Sequence, residues 1–142
     1  MDDNDDNDGN DDIYLVYDRE CPVCEFYCQR VNTSSSAGHL VRVDARRASP
    51  LLDEITNADL DIDEGMVLKV DGTIYHGSDA IHELALLSSK KGLFNQLTSS
   101  LFRHRQIAKF LYPALVVCRN LLLKILGRSR INNLGLADND RF

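Results

Sequence analysis

The sequence has no unbroken apolar run of the ~18 residues a membrane-crossing helix needs, so no transmembrane segment is expected. It has no basic residue in positions 2–12, so its start cannot be read as a secretory signal peptide. Between Leu84 and Ala137 there is no Asp or Glu. There is no second Cys-x-x-Cys, no His-x₃₋₅-His pair and no internal repeat. The 44% hydrophobic content excludes a chain that is disordered throughout, and the 142 residues suit one domain.

The charge is unevenly placed. Residues 2–12 hold seven of the 22 acids, which leaves 15 acids against 16 bases in the remainder. The formal −6 therefore belongs to Met1–Asp12, expected to be a disordered acidic tail because like charges repel and nothing in it can be buried. The body is nearly neutral but lopsided, with nine Lys/Arg between Leu84 and Ala137. Few aromatics, an acidic overall balance and no recognition motif argue against nucleic-acid binding.

Hydrophobic patterning predicts β-α-β-α-β-β-α over residues 13–89. Ile13–Tyr17 is a β-prone run suited to a strand buried on both faces. A helix follows from Cys21 to about Asn32, with Pro22 in its first turn and Val23, Phe26, Tyr27 and Arg30/Val31 at helical spacing. Thr33–Gly38 is a loop and Leu40–Val43 a second strand. Ser49-Pro50 opens a helix to about Thr56, and Ala58–Glu64 is an acidic connection. Met66–Val70 and Thr73–His76 flank Asp71-Gly72, a hairpin signal. Ser78 is expected to cap a helix to about Ser88, with Asp79 complementing its dipole. The alternation implies parallel pairing with an antiparallel hairpin at one edge.

A helical extension follows over residues 93–127, and 132–142 is a second tail. Its helices are expected at Phe94–Phe102, Arg105–Tyr112 and Pro113–Leu126, with Pro113 separating the last two. Leu111, Leu115, Cys118, Leu122 and Leu126 are the expected buried stripe; Arg119, Lys124 and Arg128 lie elsewhere and are expected in solvent. The basic apolar helices also suit weak contact with a membrane surface or membrane protein. His76 and His82 are read as surface or edge residues.

The chemistry concentrates at Asp18-Arg19-Glu20-Cys21-Pro22-Val23-Cys24. A thiol at a helix start faces unpaired N–H groups and the positive end of the dipole, so Cys21 should ionise below the usual ~8.5. Thiolate is the nucleophile of disulfide exchange. Cys24, one turn further in, is expected to be more buried and to resolve the mixed disulfide. The alternative is a non-catalytic metal-binding or adaptor module, with Cys21, Cys24, Cys28 and a histidine as ligands. His39, His76, His82 and His104 are scattered, and Cys28 and Cys118 are expected to pack in helices. Asp18 is read either as proton shuttle for Cys24 or as a loop carboxylate binding backbone N–H groups. With no leader read in the sequence, a reducing cytoplasmic setting is expected, where close cysteines point to redox chemistry or metal.

In this motif the chain resembles the DCC (Asp-Cys-Cys) family of thiol-disulfide oxidoreductases. Val16-Tyr17-Asp18 leads into it, Leu40–Asp44 is similar to the family's second strand, and Tyr75-His76-Gly77-Ser78-Asp79-Ala80 to its Gly-Ser-Asp-Ala turn. Tyr112-Pro113, Arg119 and Gly127-Arg128 resemble its C-terminal helical segment, so the likeness covers residues 13–131. The resemblance implies a thioredoxin-like fold and protein or small-molecule disulfides and thiols as substrates, with no cofactor. Arg19 replaces the family's usual Gly and is read either as a cation stabilising the Cys21 thiolate or as a solvated side chain. Thioredoxins carry a cis-proline before the third strand; here that position falls at Gly65-Met66.

Overall fold

The computed structural model describes residues 12–34, 37–89 and 91–137. The expected acidic tail lies outside the described residues, apart from Asp12. The elements are β1 (Asp12–Tyr17), α1 (Pro22–Arg30), β2 (His39–Asp44), α2 (Pro50–Asn57), a 3₁₀ turn (Ile62–Glu64), β3 (Val67–Val70), β4 (Thr73–His76), α3 (Ser78–Leu87), α4 (Leu93–Phe102) and α5 (Arg105–Ile125). The β-α-β-α-β-β-α order stands, and the mixed α/β architecture is thioredoxin-like.

The sheet order is β2-β1-β3-β4. β1 pairs parallel with β2 in the register Ile13 to Leu40 and Tyr17 to Asp44. β3 pairs antiparallel with β1 and with β4. β1 is central, which explains its unalternating apolar sequence: Leu15 and Val16 are both fully buried on opposite faces. Leu15 joins Leu40, Leu68, Ala80 and Leu84 on one side. Val16 joins Ala45, Ile55, Ile62 and Val67 on the other. Asp71 and Gly72 both take positive φ, +49° and +79°, as a two-residue hairpin turn of this twist requires. Ser49 caps α2 by accepting from Leu52 N–H at 3.1 Å.

Several expectations about the helices are corrected. Ser78 is not the cap of α3 but its first residue; Gly77 (φ +63°) is the cap, with no side-chain hydrogen bond. Pro113 does not separate two helices. It sits inside the continuous 21-residue α5, held by buried Ala108 and Tyr112 before it and Arg119 and Leu123 after it. The buried stripe of α5 is that set, while Leu115 and Cys118 are exposed; Cys118 is therefore not a packing residue. α5 is also long and apolar enough by length and composition to cross a membrane, with a mean hydropathy of 1.2, because its few polar residues interrupt the run without lowering the average far. In α1, Val23 and Phe26 are exposed, and the helix is shorter than expected at both ends.

The predicted second tail is partly structured. Asp63 accepts from the backbone N–H groups of Ile131 and Asn132 at 2.9 and 2.8 Å. Asn133 accepts from Ile62 N–H and donates to Leu60 O. His82 is not a surface residue: it is buried, and its Nδ1 lies 3.0 Å from Phe102 O.

Candidate active site: a dithiol at the β1–α1 junction

β1 ends at Tyr17, and the chain turns through Asp18-Arg19-Glu20 into α1. Cys21 is the N-cap of α1, in extended conformation, and Pro22 occupies the first helical position. The cap group is the sulfur: Cys24 N–H donates to Cys21 Sγ at 3.4 Å. A thiolate there replaces the oxygen that usually satisfies the first-turn donors.

The two thiols are driven apart in acidity. Cys21 is lowered to about 6 by the Cys24 thiol hydrogen bond; burial opposes this, while the Cys24 and Val23 N–H groups and the Arg119 charge assist. Cys24 is pushed up by donating to Cys21 and by burial. The pair therefore shares one proton, with the negative charge on Cys21. Cys28 is buried among Leu15, Leu40 and Leu68, and burial raises its thiol as well.

The exposure order is the reverse of that expected. Cys21 is 0% exposed, whereas Cys24 is partly exposed. The cause is the cap itself, which turns Cys21 Sγ inward over the helix end. Cys24 lines a small pocket of about 20 Å³ with Tyr17, Asp18 and Gly65. It also lines a larger apolar pocket of about 230 Å³ with Val23, Tyr27, Ile81, Phe102 and Leu115. Met66, Tyr112, Val116 and Arg119 border both.

Asp18 is 2% exposed. Its Oδ1 accepts from Glu20 N–H at 2.9 Å. Arg46 binds it with two prongs, Nε to Oδ1 at 2.7 Å and Nη2 to Oδ2 at 2.9 Å. Arg119 Nη2 reaches Oδ2 at 3.2 Å. Burial works against its charge, but the Arg46 hydrogen bond and charge, the Glu20 N–H and Arg119 outweigh it, so the carboxyl stays below the usual range. This favours the loop-anchoring reading; a carboxylate so held is a poor proton acceptor. Asp63, fully buried, lies 3.9 Å from Arg119, which also donates to Asp63 O.

Arg19 does not supply the cation at Cys21. It is exposed and points to Arg42 O and the Tyr17 ring. Arg119 takes that role from the far end of the chain. Ser78 and Asp79 border neither pocket lined by Cys24. Gly77 does approach the site, through Tyr112.

Gly65-Met66 occupies the position of the thioredoxin cis-proline, and no cis peptide bond occurs among the described residues. Met66 N–H donates to Tyr112 Oη at 2.8 Å, and Met66 O accepts from Gly77 N–H at 2.9 Å. Both backbone groups are thus engaged within the chain. Among the described residues no three of His, Cys, Asp and Glu converge as a metal site.

The chain thus sets two free cysteines, Cys21 and Cys24, at the first strand-to-helix junction of a thioredoxin-like α/β fold. Residues 15–124 match the family described as DCC1-like thiol-disulfide oxidoreductase, and the chain belongs to that family. No curated protein and no solved structure matches it. Membership carries a redox role with thiols and disulfides as substrates.

Proposed function

We propose that the protein is a thiol-disulfide oxidoreductase of the protein-disulfide reductase type that cycles Cys21 and Cys24. The observation that carries this reading is the Cys21 sulfur at the α1 cap, accepting from Cys24 N–H at 3.4 Å, a placement that lowers its thiol to about 6. Cys21 thiolate attacks a substrate disulfide and expels one substrate thiolate. Cys24 then gives up its proton to the leaving side and attacks Cys21 Sγ, releasing the second substrate thiolate. The protein loses two electrons to form the Cys21–Cys24 disulfide, and the substrate gains them. Asp18 fixes Arg119 and Arg46 around this step as a positioning residue.

A second order of events is favoured by exposure, since Cys24 is the sulfur that meets the pocket. There Cys21 takes the Cys24 proton and Cys24 makes the first attack. Trapping separates the two. Cys24→Ser should accumulate the mixed disulfide if Cys21 attacks first, and Cys21→Ser should do so if Cys24 does. A titration against a glutathione or dithiothreitol couple should show a reversible two-electron transition that both variants abolish. Absence of that transition in the wild type would overturn the function.

A further inference from the structure

α5 has two apolar faces. The buried line runs through Ala108, Tyr112, Arg119 and Leu123. At about 100° per residue, Phe110, Ala114, Val117, Leu121 and Ile125 form a second line on the opposite side. Phe110 is 86% and Ile125 73% exposed, with Val117 and Leu121 also in solvent. Leu115, on the border of the buried line, lines the larger pocket beside Cys24, so that pocket opens on the side of α5 away from the outer line. Lys109 and Lys124, both exposed, lie along the other border, with Arg103 and Arg105 at the N-terminal end. No acidic residue occurs from Leu84 to Ala137 to oppose them.

We propose that α5 docks by this outer face on an anionic membrane surface, lying flat with its cations among the headgroups. The docking does not rest on the proposed redox function. The occupant follows from charge complementarity: a helix exposing an apolar line with lysines along one border, in a segment without an acidic residue, matches an acidic lipid interface. Lying flat, rather than spanning, follows from Arg119. Midway along α5 it is bound to Asp18 and Asp63 in the domain interior, so the helix cannot leave that surface to cross a bilayer without stranding three buried charges.

The test is flotation of the full chain with phosphatidylcholine vesicles, with or without phosphatidylserine. Binding to the phosphatidylserine vesicles alone, released by salt, is expected. Val117→Glu with Leu121→Glu should weaken it about tenfold or more, and Lys109→Glu with Lys124→Glu should weaken it without touching the apolar line. Cys21→Ser should float as the wild type does, so loss of redox activity and loss of docking are read separately. No flotation at low salt, or undiminished flotation of the Val117/Leu121 variant, would overturn the proposal. So would a concentration-dependent dimer that this variant abolishes, which would assign the face to a second copy of the chain.

Discussion

Asp18 Oδ2 lies 3.2 Å from Arg119 Nη2, and the two residues, 101 positions apart, are both buried. This contact ties the end of β1 to the middle of α5. It makes the helical extension a wall of the dithiol site. Arg119 lowers the thiol of Cys21, stands against Cys24 in both pockets, and holds the 3₁₀ turn through Asp63.

Asp18→Asn tests the anchor. The amide keeps the shape but removes the carboxylate that Arg46 and Arg119 share, leaving Arg119 only the more distant Asp63, and breaking one side of a buried pair costs about 3–5 kcal/mol. Chemical denaturation should show a loss of that order. The pH dependence has a definite sign. The carboxyl is depressed in the folded state, so its stabilisation is present above its ordinary value of ~3.9 and disappears as pH falls through the lower folded value. The wild type should therefore lose more stability than Asp18→Asn over that acid range; parallel pH–stability curves would refute the anchor.

Arg119→Met tests the electrostatic link. Thiolate absorbance near 240 nm should titrate with a midpoint of about 6 in the wild type. Removing the guanidinium should move the midpoint upward, and Arg119→Lys, which keeps a charge, should move it less. Exchange rate should rise with pH through the same midpoint in each variant, because only thiolate attacks. An unmoved midpoint in Arg119→Met would remove Arg119 from the site.

How much of this was legible in the sequence depends on where the information is local. β1, the Asp71-Gly72 hairpin and the Ser49-Pro50 cap are written in adjacent residues, and so is Cys21 at a helix start. Arg119 is not. It was grouped with Lys124 and Arg128 because a charge in an apolar helix is ordinarily solvated. That assumption set the helix phase on Leu111, Leu115 and Cys118. The buried phase contains Arg119 because Asp18 and Asp63 wait for it from elements far away in sequence. Asp63 was likewise hidden in an acidic stretch that reads as surface. The exposure order of Cys21 and Cys24 depends on which way the cap sulfur turns, which spacing does not encode.

Pro113→Ala tests how α5 tolerates its proline. Pro113 cannot donate to the carbonyl four residues earlier, yet the helix continues through it. Alanine would restore that bond at an exposed position. The helix-interior penalty of ~3 kcal/mol, less up to ~1 for the greater freedom of the unfolded chain, gives an expected gain of about 2 kcal/mol. The urea midpoint should rise with an unchanged slope. A fall would mean that the proline sets a bend on which the Tyr112 and Arg119 contacts depend.

Gly65→Ala tests the wall opposite Cys24. Gly65 has φ 178°, so alanine is conformationally acceptable there. The obstacle is steric: an added Cβ would lie 2.7 Å from Gly77 Cα and 3.1 Å from Gly77 N, both backbone atoms that cannot rotate away. The segment bearing Met66 must then separate from the start of α3, which strains the Met66–Gly77 and Met66–Tyr112 hydrogen bonds. Overpacking of this kind costs about 1–3 kcal/mol. Gly72→Ala is the control. Nothing lies near its Cβ, but its φ of +79° disfavours alanine, so only a conformational cost of order 1 kcal/mol is expected. The two substitutions should differ most in function. Gly65→Ala should alter the thiolate titration and the exchange rate because the wall of both Cys24 pockets moves, while Gly72→Ala should change stability alone. Equal effects on exchange would separate the Gly65–Gly77 contact from the dithiol.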